Sequence, residues 1–145
     1  MRLPRAALLG ATISPILMLG CGTSDPNAFH TGCDHFNGVQ VSTGLTPSIG
    51  WTPDCAAHQI AVFVALTPED PGGDPITVGA EVWQVNSSQI AGNTIESSVR
   101  YGQVPSGTMQ GVSPQPLVAG QPYVVFVSAL ALNGPSVGAR RFFTP

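Results

Sequence analysis

The chain predicts an all-β fold: an antiparallel sandwich of about seven strands, preceded by a signal peptide and a short tether. Three observations carry that expectation. Only 9% of the 145 residues are charged, while 17 glycines and 14 prolines punctuate the chain. Such a composition suits short strands joined by many turns, and suits neither a helical bundle nor a charge-rich disordered tail. β-branched and aromatic clusters recur at short intervals between turn signals, and beyond residue 21 there is no sustained helical periodicity.

Residues 1–20 divide as an export signal does. Arg2 and Arg5 give a positive start, and Ala6 to Leu19 form an apolar stretch interrupted by Gly10, Thr12, Ser14 and Pro15. A membrane-spanning helix needs about 20 apolar residues, so this segment is too short and too broken to span and fits a removable signal. Residues 21–37 carry small and polar residues without periodicity and are expected to be the mature N-terminus and a tether. The domain is expected over residues 38–145. With the signal gone, roughly 125 residues remain, enough for one domain.

The signal ends in Met18-Leu19-Gly20-Cys21, which resembles the cleavage box of bacterial lipoproteins. The resemblance implies that Cys21 is lipidated, becomes the first mature residue and anchors the protein in the bacterial cell envelope. Gly22 and Thr23 follow it, with no aspartate directly after the cysteine. In a cell with two membranes, the resemblance then implies the outer one. Cysteine arithmetic agrees: three cysteines in an exported chain leave one over, and lipidating Cys21 leaves Cys33 and Cys55 as one pair.

Past the tether, strands are expected at Val39–Ser42, Thr46–Trp51, Gln59–Leu66, Thr77–Val85, Ile95–Tyr101, Thr108–Val112, Tyr123–Leu132 and Val137–Thr144. Each is rich in Val, Ile, Thr or aromatic residues. Between them lie "STGLT", "TPDCAA", "TPEDPGGDP", "NSSQIAGN", "GQVPSG", "SPQPLVAGQ" and "LNGPS", whose Gly, Pro, Asn and Asp supply turn dihedrals. "YVVFVSALAL" is the longest apolar run. It is half the length of a membrane helix and β-branched at Val124, Val125 and Val127, as a central buried strand would be.

Ile49 and Trp51 share one strand face, and burying Trp51 demands a partner for its indole N–H. Tyr123 opens a buried strand, where its hydroxyl can bond the backbone of the preceding turn, as in the tyrosine corner of sandwich domains. Three stretches resemble fibronectin type III domains: "IGWTP" (49–53), "PLVAGQPY" (116–123) and the closing "RRFFTP" (140–145). That resemblance implies a fibronectin type III-like, immunoglobulin-like sandwich, with Trp51 filling its core.

The Cys33–Cys55 pair also follows from strand pairing. The two are 22 positions apart, with Gly44 midway. A hairpin of Val39–Ser42 with Thr46–Trp51 turning near Gly44 sets the cysteines opposite each other beyond its open end. Opposed residues of antiparallel strands lie about 4.5–5.5 Å apart, which suits a disulfide.

Charge excludes one class of partner. Lysine is absent, and the mature part holds Arg100, Arg140 and Arg141 against all eight acids, a formal charge near −5. No basic patch for nucleic acid can be assembled, and anionic headgroups would be repelled, so the membrane is expected to be reached through lipid.

No catalytic site is visible. There is no Gly-x-Ser-x-Gly elbow, and without lysine there is no phosphate-binding P-loop. His30, Cys33, Asp34, His35 and His58 gather near the expected disulfide end, but their spacing matches no zinc motif. Glu69, Asp70 and Asp74 around two glycines offer oxygen ligands for calcium without the twelve-residue calcium loop. Neither metal nor cofactor is expected. For binding, Trp83, Arg100 and Tyr101 are the candidates, as exposed aromatic and arginine side chains favour interfaces. Alternation equally allows Trp83 and Tyr101 to be core residues, with Trp83 and Val85 on the same face as Glu81.

The expected function is a non-catalytic, lipid-anchored envelope module that binds a protein or a polysaccharide. The alternative is a structural subunit of an envelope assembly. A third reading, a small metal-dependent hydrolase at the histidine end, has no motif behind it.

Overall fold

The computed structural model describes residues 32–67, 76–89, 92–131 and 136–145. The signal segment, Cys21, His30 and the loop acids Glu69, Asp70 and Asp74 lie outside the described residues. Eight strands form: β1 (Gly38–Val41), β2 (Ser48–Thr52), β3 (Gln59–Ala65), β4 (Val78–Ser87), β5 (Val99–Arg100), β6 (Thr108–Val112), β7 (Tyr123–Ala129) and β8 (Val137–Phe143). They build two sheets, β1-β2-β5 and β6-β4-β3-β7-β8, with every strand pairing antiparallel. Among the described residues there is no helix, and so none long and apolar enough to cross a membrane.

Period-2 alternation explains how the sheets stack. Val39, Ile49, Trp51 and Val99 of the small sheet join Ile60, Val62, Trp83, Val85, Val125 and Val127 of the large one in a single apolar cluster. Each of these side chains is less than a tenth exposed. The Trp51 indole N–H donates to Cys55 O at 2.8 Å, which supplies the partner its burial demands. The Tyr123 hydroxyl accepts from Val118 N–H at 3.0 Å, fastening the turn before β7 as expected.

Most strands lie within a few residues of their expected ends; the stretch Ile95–Tyr101 shortens to β5. There the Ser97 hydroxyl accepts from Trp51 N–H at 3.1 Å, so a side chain stands in for the backbone ladder. Ile95 instead exchanges two backbone bonds with Ala57, of 2.8 and 3.0 Å.

Cys33 and Cys55 form the disulfide, with Cα atoms 5.2 Å apart, but not by extension of the hairpin. The β1–β2 register runs Gly38↔Thr52 to Val41↔Ile49, centred one residue later than Gly44, and continuing it would face Cys33 with Ala57. The chain before β1 turns instead, so that Gly32 and Ala56 make a parallel bridge and Cys33 N–H donates to Ala56 O at 3.3 Å. Asn93 holds the same end, donating to Leu130 O and accepting from Leu130 N–H at 2.9 and 2.8 Å. Gly32 lies directly over it: an added Cβ would meet the Asn93 amide nitrogen.

One departure from alternation decides what the outer face carries. Val62 pairs with Trp83, but Phe63 pairs with Glu81. Val82 is therefore an extra residue, a bulge. The expected sharing of a face by Glu81, Trp83 and Val85 does not occur. Trp83 and Val85 lie in the core, while Glu81 emerges beside Phe63 on the opposite side of the sheet.

Candidate binding surface

On the three inner strands of the large sheet, the residues that alternate with the core form its outer face. Gln59, Ala61 and Phe63 come from β3, Phe126 and Ser128 from β7, and Glu81 and Gln84 from β4; Arg140 of edge strand β8 sits opposite Phe126. Large side chains surround the small Ala61 and Gly138, leaving a groove of about 770 Å³. The Phe63 and Phe126 rings meet edge to face, 5.7 Å apart at 85°, a favourable geometry for aromatic pairs. Both rings are only half-buried, so they offer apolar surface to the groove.

The polar side chains are organised as well. Gln59 Nε2 donates to Asn86 Oδ1 at 2.9 Å, and Asn86 Nδ2 donates to Gln84 Oε1 at 3.3 Å. This amide ladder runs beside Gly111, where the β4–β6 pairing skips from Gln84↔Val112 to Val85↔Gln110. A Cβ on Gly111 would collide with Gln84 Oε1 and approach Asn86 Nδ2 to 2.8 Å, so the missing side chain makes room for the amides. Glu81 lies further along β4. Its Oε1 is shut off from solvent without a hydrogen-bond partner, and desolvation pushes its carboxyl above the ordinary 4.5. Bulges re-aim side chains next to functional sites; of the three register shifts in β4's pairings, those at Val82 and Gly111 shape this surface.

The sequence-derived candidates fall elsewhere. Trp83 is fully buried and Tyr101 nearly so, their rings 5.2 Å apart. The Tyr101 hydroxyl lies 2.6 Å from Gln115 O and 3.1 Å from Val82 O; burial and the neighbouring Tyr123 push it up to about 12. Alternation placed both in the core, so neither is available to a ligand. Arg100 is exposed at the end of β5, in the other sheet and apart from the groove. His35 and Asp34 are exposed, and His58 donates from Nδ1 to Gly92 O at 2.7 Å. Among the described residues no group of three metal-ligating side chains converges.

Phe63, Phe126, Gln59 and Gln84 were missed by the sequence reading, although a signal existed. In "QIAVFVA" and "YVVFVSA", each phenylalanine has the parity opposite to Val62, Val125 and Val127 of the inter-sheet cluster, which marks an aromatic facing away from that cluster on two adjacent strands. Glu81 carried no such signal, since its parity is reversed by the bulge. The chain matches no protein-family model, no curated protein and no solved structure.

Proposed function

We propose that the chain is a non-catalytic binding module of the bacterial cell envelope, lipid-anchored through Cys21, which takes its ligand on the outer face of the five-stranded sheet. The observation that carries this reading is the groove itself: a half-exposed aromatic pair, an ordered amide ladder and a carboxylate oxygen without a partner, on strands that are otherwise tightly packed. Small-ligand sites combine apolar lining with a few placed polar groups in volumes of about 300–1,000 Å³, and this groove fits that description.

The connectivity supports a fibronectin type III or immunoglobulin-like assignment. Immunoglobulin domains set strands A, B and E in one sheet and C, F and G in the other. Strands β1, β2 and β5 occupy the first set of places and β3, β7 and β8 the second. Tyr123, at the start of β7, bonds backbone five residues upstream, where such domains carry their tyrosine corner.

The edges of the large sheet do not favour the assembly-subunit alternative. β6 is bulged at Gly111 and followed by Ser113-Pro114, and β8 carries Arg140 and Arg141; bulges, prolines and charges of this kind discourage strand addition. Two measurements test the proposal. Intact mass of the membrane-extracted protein should show acyl chains on a chain beginning at Cys21, and an unacylated mature mass would remove the anchor. Crosslinking in intact cells, followed by affinity capture, should recover one dominant envelope component. Recovery no better than that of a control lipoprotein would remove the binding role.

A further inference from the structure

Resting on that binding role, we infer that the groove takes an uncharged oligosaccharide, with sugar C–H faces against Phe63 and Phe126 and ring hydroxyls on Glu81 and the amides. Three features select this chemistry over a peptide.

The first is where the hydrogen-bonding groups come from. β3 and β7 are paired on both sides, so their backbone N–H and C=O groups are spent in the ladders. A peptide that docks by strand addition is read through main-chain bonds at a sheet edge, and the middle of this face has none to give. What the groove offers is side chains only: Gln59 and Gln84 amides, which donate and accept, the Glu81 carboxylate, which accepts, and the Arg140 guanidinium, which donates. A ligand answering them must carry several groups that both donate and accept at close spacing on a compact apolar frame. Hydroxyls on a pyranose ring are such groups.

The second is the unsatisfied acceptor. Glu81 Oε1 is out of solvent and unpartnered, and buried acceptors are nearly always paired. Glu81 lines the groove, so a carboxyl rotation that turns this oxygen toward a ligand hydroxyl would form a charge-assisted bond, roughly twice as strong as a neutral one. The third is charge. The groove holds one carboxylate and one guanidinium with otherwise neutral lining, a balance that favours neither an anionic nor a cationic ligand.

The test titrates the purified full-length protein in detergent with cello-, malto- and chito-oligosaccharides by calorimetry. Saturable binding of at least one is expected. Glu81→Gln should weaken it roughly tenfold, the loss of one charge-assisted bond, and Phe126→Ala should weaken it further. Arg100→Ala, in the other sheet, should leave it unchanged. Thermal melting of each variant separates binding from folding; Glu81→Gln removes a desolvated charge and should melt no lower than the parent. Binding that survives Glu81→Gln unchanged would overturn the inference. If none of these sugars binds while Phe126→Ala abolishes capture of a protein partner from cells, the glycan inference fails and the binding role stands. If neither sugar binding nor groove-dependent capture is found, both fall.

Discussion

Single residues show how this molecule separates burial that is compensated by hydrogen bonds from burial that is not. Trp51, Tyr101 and Tyr123 each place a polar tip on a backbone group, so their burial is compensated and they act as fasteners. Removing the Tyr123 hydroxyl by Tyr123→Phe leaves Val118 N–H without its acceptor and should cost about 1 kcal/mol, read as a lower urea midpoint with unchanged slope. Glu81 is the opposite case: its Oε1 is out of solvent without a hydrogen-bond partner. Its pKa is raised in the folded state, so the native form binds more protons than the unfolded form. Its favourable contribution is present below the unfolded value and is lost as pH rises through the folded one. Glu81→Gln should therefore match or exceed the parent in melting temperature at pH 7, the advantage shrinking as the pH falls through the raised folded value toward 4.5 and gone below it. A variant less stable than the parent at pH 7 would mean that Glu81 has a protein partner.

At the scale of elements, the bulges and the disulfide matter most, and they mark the limit of what could be read from the sequence. The strands were legible because alternation and turn residues act locally: "QIAVFVA" and "YVVFVSA" announce β3 and β7 without outside help. The pairing of Cys33 with Cys55 was legible from counting. Its geometry was not, because the parallel bridge of Gly32 with Ala56 depends on how the chain turns before β1. The side of the sheet on which Glu81 emerges was illegible for a related reason: a one-residue slip at Val82 exchanges the two faces, and nothing in the order of residues marks the slip. Two predictions belong here. Replacing both Cys33 and Cys55 with serine should lower unfolding free energy by about 3 kcal/mol, the chain-entropy value for a loop of this size, measured by urea denaturation. Gly111→Ala should change stability by less than about 1 kcal/mol, since its new methyl meets only the movable ends of Gln84 and Asn86 and restricts the unfolded chain. The same change should displace the amides and weaken binding in the groove. A large loss of stability with intact binding would contradict this account of the bulge.

Seen whole, the two sheets divide the work. The three-stranded sheet covers the core and, with the Cys33–Cys55 disulfide, closes one end of it, while the five-stranded sheet turns its second face outward with an ordered groove. In the function proposed above, an acidic, lysine-free chain offers no basic patch to nucleic acid or anionic headgroups, a lipid at Cys21 would hold the module at a membrane, and the groove would meet its ligand. The most direct measurement places a photoreactive phenylalanine at position 126 in the groove, or at exposed position 40 on β1 as a control, and irradiates intact cells. The account predicts a discrete adduct from position 126 and none from position 40. Adducts from position 40 alone, or equal and diffuse labelling from both, would contradict the assignment of this face as the ligand surface.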